Sequence, residues 1–199
     1  MYDFLTCAFS GCNLTAISGS KYCAAHLPEP EKTTAYIENI LKQNNTIKNL
    51  NSSGLRFEGI DLSGRKFYAC SFSKASLINM IFHTCSFRMC FFDFAVMDSC
   101  DFSNTDAQYC SFSGSKLINV AFENSELVHN NFNGIQAKNS TFSKSNLYNS
   151  RFIYSELFQT DFIDCNLKRS IIVPSKEHEV SWRLSNTQEA IWDIDRINA

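Results

Sequence analysis

Between Leu55 and Val173 a bulky apolar residue returns at every fifth position, from Phe57 through Leu62, Phe67 and Phe72 to Ile172. The series covers 24 consecutive positions without an insertion or deletion, and only Met97, Ala107, Ala137 and Ile172 are neither Phe nor Leu. Two residues before most of them stands a small side chain, as at Cys70, Ala75, Cys90, Ser125, Ser145 and Ser170. The remaining three places of each unit are mostly polar. A period of five suits neither the 3.6 of a helix nor the 2 of a flat strand. Repeated this strictly, it predicts a solenoid in which each unit turns inward twice.

The bulky positions indicate how many units close a coil. Phe or a close equivalent recurs every tenth residue from Phe72 to Phe162, with smaller apolar residues between. Two units per coil would form a loop too small to enclose Phe. Four units, or twenty residues, stack Leu62, Phe82, Phe102, Phe122, Phe142 and Phe162 in one column and Phe72, Phe92, Phe112, Phe132, Phe152 and Ile172 in the opposite one. Six coils at the spacing of neighbouring strands would give a rod of ~29 Å.

Units such as Cys-Asp-Phe-Ser-Asn at 100–104, Ser-Asn-Leu-Tyr-Asn at 145–149 and Cys-Asn-Leu-Lys-Arg at 165–169 follow the pattern A-[DN]-[LF]-x-x. The stretch therefore resembles the pentapeptide-repeat family. The resemblance implies a mainly β fold, a right-handed quadrilateral β-helix with four units per coil. It says little about function. Some members resemble duplex DNA in size and charge and bind DNA gyrase or another type II topoisomerase.

Residues 1–27 read as a separate module. Cys7, Cys12, Cys23 and His26 fall in two close pairs, and three thiolates with an imidazole suit tetrahedral zinc. So short a segment cannot bury a core, so a structural zinc would supply its folding energy. The ending Tyr22-Cys23-Ala24-Ala25-His26 is similar to small treble-clef-like zinc fingers. Only Lys21 offers positive charge here, against Asp3, which disfavours nucleic acid as a partner. Pro28-Glu29-Pro30 marks a helix start. A helix over 31–44 with Ile37, Ile40 and Leu41 on one face is expected to cap the first coil. Residues 28–50 are thus cap and linker, and 51–173 the solenoid.

Residues 174–199 are expected to form a second cap. Ser185 and Gln188 have capping-box spacing, and Ala190, Ile191, Ile194 and Ile197 would line one face of a helix over 185–197. Trp182 and Trp192 add buriable surface. In the last coils Ile153, Tyr154, Phe158 and Ile163 take outward places, where Asp93, Asp98, Ser103 and Ser113 stand earlier. Together with Trp182, Ile191, Trp192 and Ile194 these form a candidate interface, including a homodimer through the C-terminal end.

Chemistry inside the repeat is sparse. Cys70, Cys90 and Cys110 share a column at the inward small place and read as buried thiols. His83 and His129 face outward without ligand spacing, and Glu177-His178-Glu179 reads as a solvated loop. No nucleophile with its base and no phosphate-cradling glycine loop is recognisable, so the chain is expected not to be an enzyme. From 55 to 173 eleven acids meet eleven bases. A DNA mimic directed at a topoisomerase needs a strong negative field, so that role is the alternative to a protein-binding scaffold. No secretory leader or transmembrane run is apparent, which leads to the expectation of a cytoplasmic protein without a membrane partner.

Overall fold

The computed structural model describes residues 5–193 and residue 195. The five-residue period becomes a four-walled parallel solenoid. Each wall is named below by the first inward Phe or Leu of the series that begins at Phe57. On the Phe57 wall the strands Arg56–Glu58, Ser76–Ile78, Val96–Asp98, Lys116–Ile118, Gln136–Lys138, Glu156–Phe158 and Lys176–His178 form one seven-stranded parallel sheet. On the Phe67 wall Thr46–Lys48, Lys66–Tyr68, Ser86–Arg88 and Asp106–Gln108 pair in the same sense. The Leu62 and Phe72 walls are held largely by single bridges such as Asp101↔Ala121 and Phe91↔Ser111. The register is twenty residues throughout, as Phe57↔Leu77 and Leu77↔Met97 show.

Four corners per coil demand sharp turns. The residue two places after each bulky one takes the left-handed conformation, for example Asn79 at φ 51° and Gly114 at φ 65°, except after Ile172, where Pro174 stands. Gly and Asn suit this region, and other residues are strained in it. The structure nonetheless places Met89, Phe94, Tyr109 and Tyr154 at such corners.

The bulky residues fill the lumen. Phe72, Phe92, Phe112, Phe132 and Phe152 stack at centroid separations of 4.8 to 5.1 Å. Phe82, Phe102, Phe122, Phe142 and Phe162 form the second ladder. The two ladders meet edge to face, as between Phe112 and Phe122 at 5.6 Å and 89°. Aromatic rings favour this arrangement because the positive edge of one meets the negative face of another. The small inward residue has its own task. Hydroxyls of Ser125, Ser145, Ser150 and Ser170 donate to the carbonyls of Phe102, Phe122, Leu127 and Leu147, twenty-three residues earlier. Thiols of Cys85, Cys100 and Cys165 do the same to Leu62, Leu77 and Phe142.

The rod is longer at both ends than the expected six coils; the Phe57 wall alone has seven strands. It begins at Thr46, inside the stretch read as linker, with Ile47 and Ser52 buried in register. The N-terminal helix, α1, spans Pro30–Gln43 and buries Ile37 and Leu41. Arg65 ties its end to the first coil by donating to the Lys42 carbonyl at 2.9 Å.

At the other end the helix expected over 185–197 is not formed in residues 185–193. Among those residues a 3-10 turn at Thr187–Glu189 stands in its place, and Ile194 and Ile197 lie outside the described residues. Ser185 does not act as a helix cap; its hydroxyl donates to the Phe162 carbonyl and accepts the Cys165 amide. The open edge of the preceding coil offers a full row of backbone partners, and Ser181 and Ile191 take them from Asp161 and Ile171. The five-residue register thus continues through Trp182 and Trp192. Trp182 stacks on Phe162 at 4.2 Å and meets Trp192 edge-on at 5.0 Å, so two indoles close the lumen.

Candidate functional site

The chain before α1 is short and is shaped by its own turns. Thr6 and Thr15 form an antiparallel bridge, and the Cys7 amide donates to the Leu14 carbonyl at 2.8 Å. A turn from Phe9 to Cys12, with Gly11 at φ 78°, brings Cys12 back toward Cys7. A 3-10 turn at Ala24–His26 does the same for the second pair.

The four expected ligands converge. Their ligand atoms all lie within 4.8 Å of one another. Cys12 Sγ is 3.8 Å from Cys23 Sγ, and His26 Nδ1 is 3.3 Å from Cys23 Sγ and 3.6 Å from Cys7 Sγ. A tetrahedral ion with ~2.3 Å bonds to sulfur and ~2.0 Å bonds to nitrogen separates its ligand atoms by about 3.5 to 3.8 Å. Donor set and spacing are therefore compatible with zinc. Phe9 stacks on the His26 ring at 3.9 Å and orients it. Against the upward push of burial, the Cys23 and Phe9 amides and the His26 and Cys23 side chains bring the Cys7 thiol down to about 6. The Leu14 amide favours the Cys12 thiolate, but burial and the neighbouring Cys23 and Cys7 sulfurs raise that thiol.

The module is joined to the rod. Ile17 is buried in the same core as Leu27, Ile37, Leu41 and Phe57. Asn51, on the first coil and 1% exposed, donates from its side chain to the Ala16 carbonyl at 2.6 Å; its amide donates to the Ser18 hydroxyl and its carbonyl accepts the Ser18 amide. The Ala24 methyl approaches Gly54 so closely that a Cβ there would stand 3.0 Å away.

The expected interface residues are scattered around the last coils. Ile153 and Tyr154 sit on and beside the Phe72 wall, Phe158 on the Phe57 wall and Ile163 on the Leu62 wall. Tyr154 is 66% exposed; Ile153, Phe158 and Ile163 are half-buried. Trp182 and Trp192 belong to the lumen plug with Ile191 alongside, and Ile194 lies outside the described residues.

Exposed apolar groups are not confined to the C-terminal coils. Met89, Phe94 and Tyr109 are 51%, 62% and 58% exposed at corners flanking the Phe72 wall. Between them the wall presents Phe91, Ser111, Ser113, Asn131 and Asn133, and its one acid there, Asp93, accepts from Ser111 and from the Ser113 amide at 3.1 Å. Phe94 lies flat over Gly114; a Cβ at 114 would come within 2.6 Å of its ring. Five-residue bookkeeping missed this surface because it treats corner places as polar.

Of the other candidates, Cys70, Cys90 and Cys110 are buried as expected. His83 accepts or donates at Ser103 at 3.0 Å, and His129 stacks on Tyr109 at 4.9 Å. Asp61 accepts from the Ser63 hydroxyl and amide, which with Arg65 hold its carboxyl below the usual range.

The four-walled parallel solenoid places the chain among β-helical repeat proteins. The family of pentapeptide repeats (8 copies) matches residues 95–134, 108–143 and 131–169, which supports that family for the rod. No curated protein matches the chain. Similar solved structures include a pentapeptide repeat protein of the Arabidopsis thaliana thylakoid lumen, 16% identical over 59% of this chain and 68% of that one, with TM-score 0.39. HetL of Nostoc sp. strain PCC 7120, involved in regulating heterocyst differentiation, is 9% identical over 79% and 95%, with TM-score 0.39. A trypsin-treated form of QnrB1, a plasmid-mediated fluoroquinolone resistance protein, is 21% identical over 76% and 84%, with TM-score 0.35. Among the described residues no helix is long and apolar enough to cross a membrane.

Proposed function

We propose that this chain is a non-catalytic protein-binding scaffold whose N-terminal Cys7, Cys12, Cys23 and His26 hold a structural zinc ion. The carrying observation is the exposed apolar group on the Phe72 wall. Met89, Phe94 and Tyr109 surround a nearly uncharged strip of Ser and Asn. Exposed aromatic side chains beside uncharged hydrogen-bonding groups suit a protein interface, where aromatic residues are enriched and dominate the energy. The zinc reading rests on four ligand atoms within 4.8 Å of one another, with three separations of 3.3 to 3.8 Å. Four protein ligands fill the coordination sphere, which suits a structural role and leaves no position for a reacting water. The metal would fasten the module onto the first coil.

The test is affinity capture from lysate of the source organism, with nuclease present, beside a Phe94→Ser/Tyr109→Ser double variant. A partner retained by the wild type and lost by the variant, with unchanged circular dichroism, supports the reading. Capture that ignores both substitutions refutes this wall as the binding surface. Metal analysis of purified protein tests the zinc, with stoichiometric metal expected.

A further inference from the structure

The nine cysteines fall into two chemically different sets. Six lie in the rod, all buried. Of these, burial pushes Cys85 up to about 12 and Cys100 and Cys165 up to about 11, and Cys70 and Cys90 are raised by neighbouring thiols and burial. Thiols held protonated in an apolar lumen are poor nucleophiles and have no path to an oxidant. The three in the N-terminal module differ. Cys12 is half-exposed, whereas Cys7 and Cys23 are buried, and Cys23 Sγ lies 3.8 Å from Cys12 Sγ. A disulfide needs a sulfur separation of ~2.05 Å, so closing this pair requires a movement of under about 2 Å.

We propose that the cluster is an oxidation-sensitive clasp, in which Cys12 and Cys23 are converted to a disulfide by a peroxide, surrender the zinc and loosen the module from the first coil. This rests on the zinc reading above. In the first step the half-exposed Cys12 sulfur, which as a zinc ligand would be a thiolate, attacks one peroxide oxygen, the O–O bond breaks, hydroxide leaves and Cys12 becomes a sulfenic acid. In the second the Cys23 thiolate attacks the Cys12 sulfur, the S–S bond forms and a second hydroxide leaves. The two sulfurs lose two electrons, the peroxide gains them, and the zinc ion departs without change of oxidation state. Only Cys7 and His26 then remain as ligands, too few for a structural site.

The consequence is mechanical. Ile17 and Leu27 contribute to the lid over the first coil, and Asn51 is paired with Ala16 and Ser18. A module of 27 residues without its metal has little core of its own. Loosening it exposes the first backbone edge of the rod, a ready site for pairing.

The experiment treats zinc-loaded full-length protein with hydrogen peroxide. It follows zinc release with a chromogenic chelator, disulfides by peptide mapping and amide exchange over residues 46–60. Expected are stoichiometric zinc release, a Cys12–Cys23 cross-link, six rod thiols still free on unfolding, and lost protection at Asn51 and its neighbours. Thiol reductant with added zinc should restore protection. Zinc retained under peroxide, oxidation of rod thiols instead, or zinc lost with exchange unchanged would each overturn the clasp. Protein that holds no zinc before peroxide is added would overturn the zinc reading and the clasp together. In a Cys12→Ser variant, which needs no oxidant to lose the site, the same first-coil protection should already be lost.

Discussion

Replacing Phe112 by Ala tests the aromatic ladders directly. The ring is fully buried, stacked at 4.8 Å on Phe92 and 4.9 Å on Phe132, and edge-on to Phe122 at 5.6 Å and Phe102 at 6.3 Å. Removing it takes one rung from the middle of one ladder and one face from the other. The backbone on either side is fixed by the twenty-residue register: the Phe112 amide donates to Asn131 at 2.8 Å. The walls therefore cannot collapse into the space, and the cost should sit in the usual range for a buried aromatic, ~3–5 kcal/mol. With a urea m-value of about 2 kcal/mol/M, the unfolding midpoint should fall by roughly 2 M. Phe94→Ala, on the outside of the same wall, should change stability by no more than ~0.5 kcal/mol. Urea unfolding followed by far-UV circular dichroism reads both. Equal midpoints for Phe112→Ala and wild type, at equal m, would refute the packed lumen.

Ser145→Ala leaves the Phe122 carbonyl and the Ser125 amide, at 2.6 and 3.0 Å, without their shared hydroxyl, and should cost ~1–3 kcal/mol in the same assay. Gly114→Ala puts a side chain at φ 65° and against the Phe94 ring; a loss of ~1–2 kcal/mol from the backbone alone is expected in thermal unfolding. Cys12→Ser should abolish zinc uptake in metal analysis while far-UV circular dichroism retains the strand signal of the rod; global unfolding would mean that the module is an essential cap. Supercoiling by DNA gyrase should be unaffected at micromolar protein, because the eleven acids over 55–173 are balanced by eleven bases; inhibition would favour the DNA-mimic alternative.

The sequence alone was enough to specify the rod. An unbroken five-residue period leaves one way to bury Phe82, Phe102 and Phe122 together, and twenty-residue stacking follows from the size of the ring. That Cys7, Cys12, Cys23 and His26 come together was also legible from their residue types and spacing. α1 was legible from Pro30 and the Ile37–Leu41 face. The ends were not. Near the C-terminus a helical pattern in 185–197 competed with an open strand edge, and the edge prevailed because it offers backbone partners at once while a short helix must first pay for its nucleus. Local pattern cannot register that edge, since it exists only when Ser170 and Ile171 are already in place.

The same holds for the outer surface. That Phe94 and Tyr109 stand exposed follows from their falling on left-handed corners, where the backbone points the side chain away from the lumen. That they gather beside one wall poor in charge depends on which residues twenty apart become neighbours. The docking of the N-terminal module on Asn51 likewise joins segments thirty-five residues apart. Periodicity and ligand spacing are properties of the chain. Which surfaces meet, which end is sealed by Trp182 and Trp192, and which thiols remain within reach of solvent are decided by long-range packing, and only the tertiary structure supplies it.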